Sequence, residues 1–226
     1  MTIKAVIFDF DGVILETEGP IHQSWEELYQ EFGLRLSMEV WASYIGTAED
    51  SFDPLDGIEA QFGRLHDREG LALRRRQRED QLVLVQTVLP GVKDFLQDAR
   101  NLGLQVGLAS SSSCSWVVGH LERLELLEYF SVIRARDDVQ RTKPDPDLYL
   151  AALTGLGVTV SQAFAVEDSP NGISAAKQAG LFCLAVPHNL TRNLPLDHAD
   201  MQIESLSTVS LENLICEIER RLNGKQ

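Results

Sequence analysis

Short apolar runs alternate along this chain with stretches whose apolar residues recur every three or four positions. The runs are typical of strands buried on both faces, and the stretches are typical of amphipathic helices. This alternation predicts an α/β fold built on a mainly parallel sheet. The predicted strands cover residues 4–8, 105–109, 132–135, 163–166, 182–186 and 201–203. Predicted helices between and after them cover residues 91–102, 116–126, 147–156, 172–178 and 211–222.

One long interval breaks this alternation. Between the first predicted strand and Pro90, about eighty residues contain no run that would suit a parallel strand. Apolar residues recur with helical spacing over 21–32, and residues 64–85 predict a second helix. We expect the basic run 74–76 inside that helix to form a solvated face, because acidic residues flank it on both sides. The interval therefore predicts a helical insertion into the sheet domain.

Composition restricts the partners. The chain has 226 residues, of which 20 are basic and 34 acidic, and its formal net charge is −14. Such a surface repels nucleic acid and anionic membranes, so we expect neither as a partner. No apolar run reaches the length of a membrane span, and acidic residues interrupt the first run too early for a signal peptide. The three widely spaced cysteines fit reduced thiols in the cytoplasm.

Two carboxylates follow the first predicted strand. Asp9 and Asp11 come directly after an apolar run and precede Gly12. In open α/β sheets, ligands bind at the carboxyl ends of the strands, and residues i and i+2 of an extended chain share one side. The pair could therefore converge on one site, although solvated turn aspartates explain it equally well.

Hydroxyls follow the second predicted strand. A run of four serines begins at Ser110, and its hydroxyls and backbone amides are suitable donors for phosphate oxygens. Ordinary helix capping is the competing explanation, and for these serines alone it is the stronger one. The order of an acid pair followed by hydroxyls nevertheless places donors beside acids at one edge of the sheet.

A lysine and a second acid pair follow later strands. Lys143, one of five lysines, lies in a stiff turn bracketed by prolines, where it could neutralise a phosphoryl group. It could equally be a surface lysine ahead of a helix. Glu167 and Asp168 end a strand predicted to be fully buried, and Asp168 together with Asp9 could supply the hard oxygen ligands that Mg²⁺ prefers. A capped loop explains this pair less well.

Together the four motifs FDFDGV, LASSS, KPDPDLYL and VEDSPNGI resemble the four signatures of the haloacid dehalogenase superfamily. Essentially the whole chain resembles its beta-phosphoglucomutase-like phosphatase branch. The resemblance implies a Rossmann-like parallel-sheet core formed by residues 1–14 and 89–226, and a helical cap formed by residues 15–88. It also implies a small phosphorylated metabolite as substrate, similar to a sugar phosphate. It does not predict the oligomeric state.

The resemblance also implies a role for each motif. Asp9 would attack phosphorus and form an aspartyl-phosphate, and Asp11 would protonate the leaving alcohol and later deprotonate the attacking water. The phosphoryl oxygens would be held by Ser110, Ser111 and Lys143. The implied cofactor is Mg²⁺, with ligands from Asp9, Asp11, Glu167 and Asp168.

Other activities in the superfamily differ in the residues they need. Metal-independent dehalogenases lack the second aspartate, whereas Asp11 and Asp168 are both present here. Phosphonoacetaldehyde hydrolases form a Schiff base with a cap lysine, and no lysine lies between Lys4 and Lys93. Both activities are therefore disfavoured.

A phosphosugar mutase is the main alternative, because it needs cap cations for a second phosphate. The corresponding cap loop, residues 42–50, carries Glu49 and Asp50 instead, and His22 stands one residue later than the usual cap histidine. Hydrolysis of a monophosphate is therefore favoured over mutase chemistry. A catalytically inactive phosphate-binding module remains a second alternative. His22, Trp25 and Trp41 fit core or helix packing of the cap better than a substrate pocket.

Overall fold

The computed structural model describes residues 2–37, 41 and 53–224. Among these residues, six strands form one sheet in the order β3-β2-β1-β4-β5-β6, and every neighbouring pair is parallel. The strands are β1 (Ala5–Phe8), β2 (Gln105–Ala109), β3 (Val132–Arg134), β4 (Ala163–Glu167), β5 (Phe182–Ala185) and β6 (Met201–Gln202). The predicted fold class and all six predicted strands are confirmed. The central position of β1 places the residue that follows it in the middle of the sheet edge.

The described residues contain eight α-helices, and the last five of them cover both faces of the sheet. The eight are α1 (Glu18–Glu31), α2 (Leu55–Phe62), α3 (Arg68–Leu84), α4 (Val92–Asn101), α5 (Cys114–Arg123), α6 (Asp147–Leu156), α7 (Pro170–Gln178) and α8 (Leu211–Asn223). In β1, Val6 and Phe8 join one apolar cluster with α4, α5 and α8, whereas Ala5 and Ile7 join a second cluster with α6 and α7. This division follows from the two-residue period of a strand. No helix in the described part of the chain is long and apolar enough to cross a membrane.

Helices α1, α2 and α3 precede the second strand and form the predicted insertion. The chain leaves the sheet after Ile14 and returns at Leu89, whose amide donates to the Ile14 carbonyl at 2.9 Å. We propose on this basis that residues 15–88 form the cap. The insertion has its own apolar cluster, in which Trp25 and Trp41 are only 8% and 7% exposed, so both pack in a core as predicted. The cap loop 42–50 and its acidic residues lie outside the described residues.

The basic run on α3 differs from the expected solvated face. Arg74 is 55% exposed, as the sequence predicts, and it pairs with Glu31. Arg75 is only 10% exposed, because its guanidinium lies 4.5 Å from the centre of the Trp25 ring and pairs with buried Glu79. Flanking acidic residues do not determine which side of a helix faces its neighbour, so the prediction is wrong for Arg75.

Candidate active site

The carboxyl edge of the sheet brings the predicted site residues together. Asp9 follows β1, and its amide donates to the Val166 carbonyl of β4 at 2.9 Å. Ser110 follows β2 in the same way, with its amide on the Arg134 carbonyl of β3 at 2.9 Å. Because all these strands are parallel, their ends meet at one edge. Lys143 reaches this edge from the loop between β3 and α6.

Lys143 is buried beside the expected nucleophile. It is 3% exposed, and its Nζ lies 2.6 Å from Asp9 Oδ1 and 2.6 Å from Glu167 Oε1. Burial alone would lower the pKa of Lys143, but the Asp9 and Glu167 carboxylates outweigh burial and raise it. The lysine therefore stays a cation at neutral pH, and it is not a surface lysine.

Glu167 holds that lysine in place. Its Oε1 also accepts from the Tyr149 hydroxyl at 2.6 Å, and its Oε2 accepts from the Asp168 amide at 3.2 Å and the Ser169 hydroxyl at 3.4 Å. Gly172 lies so close to this carboxylate that a Cβ there would collide with it. Both oxygens of Glu167 are thus engaged, which indicates that it orients Lys143 whether or not it also contacts a metal.

A cluster of buried carboxylates could hold a metal ion. Asp9, Glu167 and Asp168 each offer a carboxylate oxygen, and these oxygens lie within 4.8 Å of one another. Burial raises the pKa of Asp9, Lys143 opposes this rise, and the neighbouring carboxylates add to it. Burial likewise raises the pKa of Asp168, with His188 opposing. These hard oxygen ligands carry more negative charge than one lysine can balance. They therefore fit a divalent cation such as Mg²⁺.

Two further features of Asp168 support this fit. Its Oδ2 is buried and lacks a well-aligned hydrogen-bond donor among the described residues, although His188 Nε2 lies 3.0 Å away. Gly12, at a φ of 81°, lets the loop after β1 approach closely, because a Cβ there would collide with the Asp168 carboxylate. The loop after β1 therefore packs directly against the Asp168 carboxylate, and a glycine at position 12 makes this contact possible.

Asp11 is surrounded by donors. Its Oδ1 accepts from the Thr17 hydroxyl at 2.9 Å and from the Trp116 indole N–H at 3.1 Å. Its Oδ2 accepts from the Ser112 hydroxyl at 2.7 Å and from the Ser110 hydroxyl at 3.3 Å. The carboxylate is thus held as an acceptor on both oxygens, in a single orientation.

The serine run divides into separate tasks. Ser113 caps α5, because its hydroxyl accepts from the Trp116 amide at 3.3 Å. Ser110 faces Asp11 instead, and its hydroxyl also accepts from the Ser112 amide at 3.0 Å. The Ser111 hydroxyl is buried and has no hydrogen-bond partner among the described residues. Capping therefore explains Ser113 but not Ser110 or Ser111.

Sequence reasoning did not identify four residues that contact the site: Thr17, Trp116, Tyr149 and His188. Tyr149 lies within the KPDPDLYL motif, and His188 follows the fifth strand, so the strand-end argument applied to β5 would have found it. Nothing in the local sequence marks Thr17 or Trp116.

The sheet is open and parallel, and a buried Asp–Lys pair lies at the end of its central strand beside an acid cluster that could hold a metal. These features define an α/β enzyme suited to phosphoryl transfer. Residues 6–186 match the family model described as haloacid dehalogenase-like hydrolase. The chain therefore belongs to this family. Its relatives, which include proteins named as phosphatases and as a beta-phosphoglucomutase, place it in the beta-phosphoglucomutase-like phosphatase branch as a phosphoric monoester hydrolase.

The matches to individual relatives extend over nearly the whole chain. "Putative phosphatase YhcW" of Bacillus subtilis (strain 168) is 42% identical over 213 residues, which is 94% of this chain and 96% of that protein. "Beta-phosphoglucomutase" of the same organism is 30% identical over 220 residues, 94% of each chain. A crystal structure of a CbbY mutant from Rhodobacter sphaeroides in complex with xylulose-(1,5)bisphosphate has a TM-score of 0.78 at 28% identity, and the match covers 94% of this chain and 99% of that one.

Proposed function

We propose that this protein is a Mg²⁺-dependent phosphatase of a small, sugar phosphate-like metabolite that acts through an aspartyl-phosphate on Asp9. The buried contact of Lys143 with Asp9 carries the proposal. A cation held 2.6 Å from the nucleophile sits where it can neutralise the oxygens of an attacked phosphoryl group. The enzyme is expected to act in the cytoplasm, without nucleic acid or membrane as a partner.

In this mechanism Asp9 attacks phosphorus as the ester P–O bond breaks, and Asp11 gives a proton to the departing oxygen. Asp11 then takes a proton from the water that hydrolyses the aspartyl-phosphate. Lys143 and the hydroxyls of Ser110 and Ser111 hold the phosphoryl oxygens.

The proposed Mg²⁺ ligands are the carboxylates of Asp9, Glu167 and Asp168 and the backbone carbonyl of Asp11. A bound Mg²⁺ neutralises charge on the phosphoryl group. Glu167 additionally keeps Lys143 in place through the contact described above. This arrangement explains how an acidic chain could bind an anionic ester, because the cations are supplied locally.

Two observations favour a sugar phosphate-like substrate. CbbY, a structural relative, was crystallised with a sugar bisphosphate, and a second relative is named for a phosphosugar reaction. The proposed cap would close over the edge of the sheet where the site lies, which suits a small substrate better than a polymer.

The primary test is hydrolysis of 4-nitrophenyl phosphate by the purified protein with Mg²⁺. We expect turnover that EDTA abolishes and added Mg²⁺ restores. Asp9→Asn should reduce turnover to background with an unchanged circular dichroism spectrum, because the amide is a far poorer nucleophile. Substantial turnover by this variant would contradict the nucleophile assignment, and no turnover by the wild type on a panel of phosphorylated metabolites would favour an inactive binding module.

The relative named beta-phosphoglucomutase keeps a mutase as second candidate. Incubation with beta-glucose 1-phosphate and a trace of its bisphosphate separates the two activities. A phosphatase releases inorganic phosphate faster than it forms glucose 6-phosphate. The reverse order would replace the proposed hydrolysis by mutase chemistry.

A further inference from the structure

The donors around Asp11 are chemically different. Thr17 and Ser112 offer hydroxyls, which can rotate and can accept as well as donate a hydrogen bond. The Trp116 indole N–H is a donor only, and its direction is fixed by the ring plane. It therefore holds Oδ1 of Asp11 permanently as an acceptor. Oδ2, which faces hydroxyls that can also accept, is left as the oxygen suited to exchanging a proton.

The indole itself is fixed by two contacts. The Trp116 amide donates to the Ser113 cap, which sets the residue in the first turn of α5. The indole packs edge-on against His120 with ring centroids 4.4 Å apart, and His120 stacks on Phe10 at 6.3 Å. Because Phe10 precedes Asp11 in the chain, these contacts link the donor back to the loop that carries its acceptor. Burial, followed by nearby Arg123, lowers the pKa of His120, which favours the neutral ring.

We propose that Trp116 is a positioning residue for the acid/base carboxylate of Asp11. The inference rests on the proposed function, in which Asp11 protonates the leaving oxygen. In that step the bond from Asp9 to phosphorus forms, the ester P–O bond breaks, and the proton moves from Asp11 Oδ2 to the departing oxygen. As a positioning residue, Trp116 acts through Asp11, and its indole N–H keeps the carboxylate in the orientation from which this proton is delivered.

The proton matters only for a poor leaving group, which gives a selective test. Phenyl phosphate and 4-nitrophenyl phosphate have similar shapes, but the nitrophenolate departs readily without a proton whereas the phenolate does not. The constant to compare between the two esters is kcat/KM, because it reports the steps up to the first P–O cleavage. Trp116→Phe keeps an aromatic ring and removes the donor.

We expect Trp116→Phe to lose about tenfold in kcat/KM with phenyl phosphate and less than about twofold with 4-nitrophenyl phosphate. Asp11→Asn calibrates the assay and should show a larger loss of the same kind. Trp25→Phe makes the same substitution inside the cap cluster and should leave the ratio of the two constants at its wild-type value. A Trp116→Phe variant with equal losses on both esters, or with no loss, would overturn the positioning role.

The outcomes separate the inference from the proposed function. If Asp11→Asn shows no dependence on the leaving group, the acid role of Asp11 fails, and the role of Trp116 fails with it. If Asp11→Asn shows the dependence and Trp116→Phe does not, only the inference fails. Should Trp116→Phe not fold, ¹⁵N NMR of the three tryptophan indoles provides a second measurement. Asp11→Asn should move one indole N–H signal, and three unmoved signals would contradict the contact.

Discussion

At the scale of single residues, the site concentrates more negative charge than its own cations balance. The pKa values of Asp9, Asp168 and Glu18 are all raised, and burial is the largest cause in each case. For Glu18, repulsion from Asp11 and then Asp168 adds to burial. A carboxylate in such surroundings is stabilised by a proton or by a metal ion. Protons and Mg²⁺ should therefore compete for the same groups.

This competition predicts how stability depends on pH. A carboxyl with a higher pKa in the folded than in the unfolded state binds more protons when folded, so the free energy of unfolding falls as pH rises through the folded-state pKa. The chelated protein should therefore be most stable below the ordinary carboxyl pKa of about 4, and it should lose this contribution as pH rises above that value. Mg²⁺ should stabilise the protein most at the high-pH end of the range, where these carboxyls are ionised. Urea unfolding across the range, with EDTA and with Mg²⁺, measures both effects.

Asp168→Asn is the control that assigns the effect. The pKa values of His22 and His120 are lowered in the folded protein, and this acts in the opposite direction. Their contribution to the free energy of unfolding increases as pH rises. Both proteins contain the histidines, so the histidine contribution cancels when the free energy of unfolding of the variant is subtracted from that of the wild type. In EDTA this difference should diminish toward low pH, because protonated Asp168 is neutral like the asparagine. A difference in the free energy of unfolding that does not change with pH would show that folding does not raise the pKa of Asp168.

At the scale of elements, strands were predictable and contacts between elements were not. All six strands were found because each is an apolar run buried by the sheet, and Asp9, Ser110 and Asp168 follow from where those runs end. Helix α2 was missed because its buried residues, Leu55 and Ile58, span too short a segment to show a period.

The side chains that complete the site were missed for a different reason. The Trp116 indole meets Asp11 across 105 residues of sequence, and Tyr149 meets Glu167 only once α6 packs on β2. Such contacts depend on how helices are rotated against the sheet, and local residue patterns do not specify this rotation. The same limit explains the wrong prediction for Arg75.

Helices α1 and α3 provide a prediction at this scale. Arg75→Ala removes a nearly buried guanidinium from the Trp25 ring and leaves Glu79 as an uncompensated buried charge. We expect a loss of about 3 kcal/mol in the free energy of unfolding. Arg74→Ala, the adjacent matched control, breaks an exposed pair with Glu31 and should cost less than about 1 kcal/mol. Urea unfolding of both variants measures the contrast, and equal losses would contradict the packing of Arg75 between these helices.

At the scale of the whole molecule, the net charge of −14 opposes the approach of the anionic substrate that the site is proposed to bind. Lys143 does not reverse this field, because the carboxylates of Asp9 and Glu167 lie against its Nζ. A divalent cation held by the cluster of Asp9, Glu167 and Asp168 would likewise be balanced by the carboxylates that hold it. Long-range repulsion between like charges is screened by salt, whereas the contacts of bound substrate are short and screened much less.

Salt should therefore accelerate capture of substrate without changing the chemistry. We expect kcat/KM for 4-nitrophenyl phosphate to rise about twofold to threefold between about 10 mM and about 150 mM KCl at saturating Mg²⁺, with kcat unchanged. Tetramethylammonium chloride at equal ionic strength should give the same rise, which separates screening from a specific effect of potassium. A fall in kcat/KM with salt would mean that the field of Lys143 and the bound cation extends beyond the site and attracts the substrate despite the acidic surface.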